Sequence, residues 1–177
     1  MIHDPELIDK LAGFPTETFD GRVFRASGIS RDPTASSTSG GRWSPVDVSV
    51  LYTSFERDGA LAEVVSYLSL LTPLPNKPLR VHEIQTSTSK TLRLARTTLT
   101  ELGVDMTHYG TRDYAVTQQI GAAVNFLELD GLITPSARWA CDNLTIFSEN
   151  HSLDKALDVL NHDDVDWQAW AKDNGFL

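Results

Sequence analysis

Two long stretches of the chain carry apolar residues at helical spacing. Residues 59–71 place Leu61, Val64, Val65, Leu68 and Leu71 on one stripe, and Pro73 forbids continuation, which predicts a helix. Residues 112–129 repeat the pattern with Val116, Ile120, Ala123, Val124 and Leu127, closed by Asp130-Gly131. A shorter docking helix begins at Asp4-Pro5, an N-cap followed by a first-turn proline, presents Leu7, Ile8 and Leu11, and stops at Gly13. Residues 98–102 predict a helical turn before Gly103. Residues 152–161 and 166–172 predict two further helices, with Trp167 and Trp170 packing as a pair at i and i+3.

Between these lie strand patterns. Residues 22–26 follow Gly21 and alternate, Val23 and Arg25 pointing one way and Phe24 the other. Residues 48–53 form a second strand with Tyr52 near its C-terminal end, and 55–58 turn out of it. Residues 79–86 and 91–95 predict two strands separated by a Ser/Thr turn. Leu132-Ile133 is a short buried strand running into Thr134-Pro135-Ser136-Ala137-Arg138, and residues 143–147 alternate cleanly. Residues 27–41 are rich in Gly, Ser, Thr, Asp and Pro, cannot bury apolar area, and predict a loop long enough to serve as a lid or binding loop.

One acidic residue interrupts the first long helix. Glu63 lies at the margin of the apolar stripe, beside Val64 and in a row with Ala60 and Tyr67, where a carboxylate is either paired or looks into a cleft. Gly40-Gly41-Arg42-Trp43 sets two glycines, which permit close backbone approach, beside an always-charged guanidinium and a large aromatic ring. That combination suits a phosphate-bearing ligand, although it also makes ordinary turns.

Charge restricts the classes of partner. With 15 Lys and Arg against 24 Asp and Glu, the net charge of −9 argues against general affinity for nucleic acid or an anionic membrane, so phosphate binding must be local. The surplus of acid suits a basic partner protein. Lys90, Arg93 and Arg96 read as a solvated face. The lone Cys141 has no bridge partner, and the absence of a leader or long apolar run leads us to expect a soluble, cytoplasmic protein of one domain.

Familiar catalytic signatures are missing: no Gly-x-Ser-x-Gly elbow, no Walker lysine loop, no Gly-x-Gly-x-x-Gly after a strand. The histidines show neither i, i+4 pairing nor cysteine companions, so no metal is expected. What remains is Arg25, Arg42, Tyr52, Glu63 and Ser136, polar residues at the ends or margins of apolar elements. Each has a structural alternative: Arg25 as a buried ion-pair partner, Tyr52 as core with a satisfied hydroxyl, Glu63 as a helix-face charge, Ser136 as a turn former. Taken together they suit cleavage of the bond between ribose and nicotinamide: arginines for phosphates, an aromatic ring for stacking, and a carboxylate for an oxocarbenium-like state.

Phe24-Arg25, Gly40-Gly41-Arg42-Trp43, Leu51-Tyr52-Thr53-Ser54, Ala60-Leu61-Ala62-Glu63-Val64, Pro135-Ser136-Ala137 and Asn143-Leu144-Thr145-Ile146-Phe147 resemble, in order and spacing, the RES-domain toxins of RES/Xre type II toxin–antitoxin systems. The resemblance spans residues 23–147, and the chain after Glu149 has no evident counterpart. It implies an α+β fold with an ADP-ribosyltransferase-like split, twisted β core and flanking helices. The expected layout is one RES-like domain over residues 1–177, with a motif-bearing core at 22–149 and a helical tail at 150–177.

The resemblance further implies NAD as substrate with no cofactor, depletion of cellular NAD by hydrolysis or phosphorolysis, and neutralisation by an Xre-like antitoxin, which we expect to occlude the cleft and which could assemble with the toxin into an oligomer. It assigns catalytic roles to Arg42, Tyr52, Glu63 and Ser136, and NAD binding to Arg25, Gly41, Trp43 and Asn143. In that scheme Arg25 and Arg42 hold phosphate, Tyr52 borders the nicotinamide ring, Ser136 orients nicotinamide or ribose, and Glu63 stabilises the oxocarbenium or positions the attacking group. The alternatives are ADP-ribosyl transfer to a macromolecule with the same site, and a nucleotide-binding module without turnover.

Overall fold

The computed structural model describes residues 4–177. Helix α1 (Pro5–Ala12) starts where Asp4 accepts a hydrogen bond from the Glu6 N–H at 3.0 Å, and it buries Leu11. The sheet is built from β1 (Thr16–Gly28), β2 (Val50–Ser54), β3 (Leu79–Arg93), β4 (Gly131–Pro135), β5 (Asp142–Phe147) and β6 (Leu157–Val165). Four further helices flank it: α2 (Arg57–Leu68), α3 (Arg96–Glu101), α4 (Ala115–Phe126) and α5 (Trp167–Asp173).

The β core is split. β3 pairs antiparallel with β1 along one edge, from Thr16↔Leu92 to Gly28↔Leu79, and on its other edge meets β6 over residues 79–86 and β4, in parallel, over residues 91–93. β4, β5 and β2 form an antiparallel second lobe. The lobes touch again at one pair, Phe24↔Ser54, between β1 and β2. Beyond Phe24 the two strands part, and the edge of β1 there is left to line a cleft. Three apolar clusters fill the interior: one under α4 around Leu92, Ile120 and Phe147, one between α2, α5 and the start of β3, and one between the lobes around Val23, Ile84 and Leu144.

Two expectations fail for identifiable reasons. The Ser/Thr turn expected between residues 86 and 91 is continuous strand. Thr86, Thr88 and Thr91 are buried, and pairing with β1 continues to Leu92. Where the strand ends its regular ladder, Asp130 accepts from the Ser89 and Lys90 N–H groups at 2.7 and 2.8 Å, satisfying backbone that a turn would otherwise have satisfied.

The helical tail expected at 150–177 is half wrong. Residues 157–165 are β6, hydrogen-bonded to β3, and only α5 is helical. A bulge explains the misreading. Glu83 faces Asn161 while Ile84 faces Val159, so Leu160 is the extra residue and the period of two is broken. Trp167 is buried, whereas the ring partners of Trp170 are Trp139 and Phe176, at 5.7 and 5.5 Å between centroids.

Candidate active site

A cavity of about 560 Å³ opens where β1 and β2 diverge, bounded by α2, the loop after β1 and the turn after β4. Its volume lies within the usual range for small-molecule sites. Arg25, Arg31, Arg42 and Lys77 line it, together with a single carboxylate, Glu63. In a chain of net charge −9 this is a local concentration of positive charge.

Glu63 reaches the cavity from the middle of α2, half-buried. Its Oε1 accepts from Ser136 Oγ at 2.7 Å and from Asn143 Nδ2 at 2.8 Å. Ser136, 2% exposed, follows β4 immediately and accepts on the same Oγ from the Arg138 and Trp139 N–H groups at 3.1 and 3.2 Å. Those two donors use the acceptor capacity of the hydroxyl, so its proton is directed at the carboxylate. Asn143 is set by β5, between Ser54 of β2 and Thr134 of β4. Both Asn143 and Thr145 line the cavity, while Asn143 Oδ1 and Thr145 Oγ1 are buried with no hydrogen-bond partner. Among the described residues, no hydrogen bond reaches Glu63 Oε2.

Arg42 is held by two tyrosine rings and a backbone carbonyl. Its guanidinium carbon lies 4.8 Å from the ring centroid of Tyr109 and 4.8 Å from that of Tyr114, and Nη2 donates to the Thr111 carbonyl at 3.2 Å. Nη2 to Thr111 is the only hydrogen bond of the guanidinium among the described residues, so its other N–H groups can serve an anionic acceptor.

Arg25, expected as a phosphate ligand or buried ion-pair partner, donates Nη1 to the carbonyls of Pro33 and Ala35 at 3.2 and 2.9 Å, holding the 28–39 loop against the cavity. Burial, reinforced by the nearby Arg31 and opposed by Asp32, lowers its pKa to about 10.

Tyr52 lines the cavity, but its hydroxyl accepts from the Trp43 N–H at 3.0 Å and bonds Ser44 Oγ at 2.8 Å, so it fastens the Gly40–Pro45 turn. Burial raises its pKa, and the hydroxyl stays protonated. Gly41 owes its identity to this contact: a Cβ there would stand 2.6 Å from the Tyr52 hydroxyl. Gly40 supplies the positive φ, +82°, and lines the cavity. Trp43, expected among the NAD-binding residues, borders the cavity but is 3% exposed, and it also packs in the α4 cluster.

Sequence reasoning missed residues that arrive on loops and one on α4. Tyr109 and Tyr114 flank Arg42 from the segment before α4, and Gln118 Nε2 donates to the carbonyls of Gly41 and Ser44 at 2.9 and 3.3 Å. Arg31 and Lys77 come from irregular connections. None carries a periodic signal. Among the described residues no group of three or more His, Cys, Asp or Glu side chains could hold a metal, and no helix is long and apolar enough to cross a membrane.

Fold and cleft thus define a mixed α+β protein with a clamped carboxylate inside a cationic cavity. The chain belongs to the RES domain family, whose family model matches residues 21–168. That span runs past Glu149, so β6 and the start of α5 have family counterparts that the motif resemblance did not reveal. No match is found among curated proteins. Among solved structures, the chain is similar to one in the "Crystal structure of the M.tuberculosis MbcT-MbcA toxin-antitoxin complex", with a TM-score of 0.79 and 19% identity over 96% of this chain and 97% of that one. At that identity the likeness establishes the fold.

Proposed function

We propose that the protein is the toxin of a toxin–antitoxin pair and an NAD glycohydrolase or NAD phosphorylase acting in the cytoplasm. The observation that carries this reading is the Glu63 carboxylate, fixed by Ser136 and Asn143 inside a cavity lined by four cationic side chains. Membership of the RES family and similarity to a chain of a toxin–antitoxin complex support it.

NAD offers what this cavity asks for: a pyrophosphate for the arginines and a ribose whose C1–nitrogen bond can break beside a carboxylate. The bonding pair leaves with nicotinamide, which departs neutral. The positive charge left on the ribose faces Glu63, held in place before reaction and so spared reorganisation. Water, losing a proton, or inorganic phosphate then closes the bond to C1. Arg42, fixed by its contacts with two tyrosine rings, holds the pyrophosphate. An Xre-like antitoxin restrains the toxin by covering the cleft.

Expression in cells tests the whole reading. The wild type should arrest growth while NAD falls, co-expression with an Xre-like partner encoded beside it should restore both, and Glu63→Ala should do neither harm. Growth arrest at unchanged NAD, with a macromolecule carrying ADP-ribose, would instead favour transfer.

A further inference from the structure

Tyr109 stands behind the cavity wall rather than on it, 4% exposed, yet it touches both halves of the site. Its ring supports Arg42 at 4.8 Å, with Arg96 also over the ring at 5.7 Å. Its hydroxyl donates to the Pro135 carbonyl at 2.7 Å, one residue before the serine that orients Glu63. No other described side chain has hydrogen bonds or ring contacts to both the arginine and the Pro135–Ser136 segment.

We propose that Tyr109 is a positioning residue that sets the distance between the anion-holding Arg42 and the Ser136–Glu63 pair, so that phosphate bound at one fixes the ribose at the other. This deepens the reading above and rests on it. The two functions of the side chain are separable. The ring holds the guanidinium in place through their cation–π contact, an effect on ground-state anion binding. The hydroxyl pins the chain before Ser136, an effect on the reacting geometry, where a displacement of about 1 Å costs on the order of a hundredfold in rate. Burial pushes the Tyr109 pKa up to about 12, so the hydroxyl remains a donor throughout the working pH range.

The test compares Tyr109→Phe and Tyr109→Leu with the wild type, reading steady-state NAD cleavage, calorimetric binding of inorganic pyrophosphate, and the thermal midpoint as a check on folding. Tyr109→Phe should lower kcat by about tenfold while KM and pyrophosphate affinity stay within about twofold of the wild type. Tyr109→Leu should in addition weaken pyrophosphate by about fivefold or more. A folded Tyr109→Phe with wild-type kcat, or a folded Tyr109→Leu with wild-type pyrophosphate affinity, overturns the proposal. Wild-type protein that binds pyrophosphate but releases no nicotinamide overturns the NAD reading instead, and the pyrophosphate comparison then still decides whether Tyr109 holds Arg42.

Discussion

At the scale of single residues, the site depends on one carboxylate oxygen being tied and the other left open. Glu63→Gln preserves an Oε1 acceptor for Ser136 and Asn143 and removes the charge. It should therefore lower kcat by about a hundredfold or more while NAD affinity changes by less than about threefold, as measured by steady-state kinetics and calorimetry. A proportional loss of affinity would assign Glu63 to binding. The sequence made Glu63 legible because a carboxylate at the margin of an apolar stripe is conspicuous. Asn143 and Ser136 were legible through their motifs. The burial of Trp43 was not legible, because a tryptophan beside an arginine looks the same in sequence whether its ring faces a ligand or the core. Tyr109 and Tyr114 gave no signal, since their roles arise from a loop folding over Arg42.

Elements locate these residues through a few close approaches. Gly121 of α4 is one: a Cβ there would lie 1.7 Å from the Trp43 carbonyl oxygen, so helix and Arg42 turn can meet only at glycine. Gly121→Ala should destabilise the fold by about 3 kcal/mol, the upper end of overpacking costs, and denaturant unfolding measures it. A change below about 0.5 kcal/mol would mean that α4 moves freely against the turn.

His82 on β3 is a second such point. It is 5% exposed, directly across from Arg25 on β1 and His162 on β6. Burial first, then repulsion from His162, Arg80 and Arg25, lowers its pKa below the ordinary 6.5, although Asp164 on β6 stands nearby, paired with Arg80. The unfolded chain then takes up a proton that the folded chain refuses. Stability is full above pH 6.5 and is lost as pH falls below it. Thermal midpoints between pH 7 and pH 5 should fall more steeply for the wild type than for His82→Gln, and equal slopes would exonerate His82. The long helices and most strands were legible because their apolar periods are intact. β6 was not, because its hydrogen bonds to β3 are backbone properties and its bulge erases the period.

For the whole molecule, the decisive contrast is between a surface of net charge −9 and a cavity with four cations around one carboxylate. Composition alone excluded a general polyanion binder and left room for a local anion site. The split between the β lobes, which creates that site, follows from β1 parting from β2 after Phe24 and pairing onward with β3, a long-range choice that local sequence does not encode. We propose that this cavity breaks the nicotinamide–ribose bond. The most direct test is to incubate purified protein with NAD, with and without inorganic phosphate, and to measure released nicotinamide and the mass of the ribosyl product. We predict release at a rate that Glu63→Gln nearly abolishes, with ADP-ribose or its phosphorylated form as the other product. NAD that binds and remains intact, or release equal in Glu63→Gln, would remove Glu63 and the cavity from this chemistry.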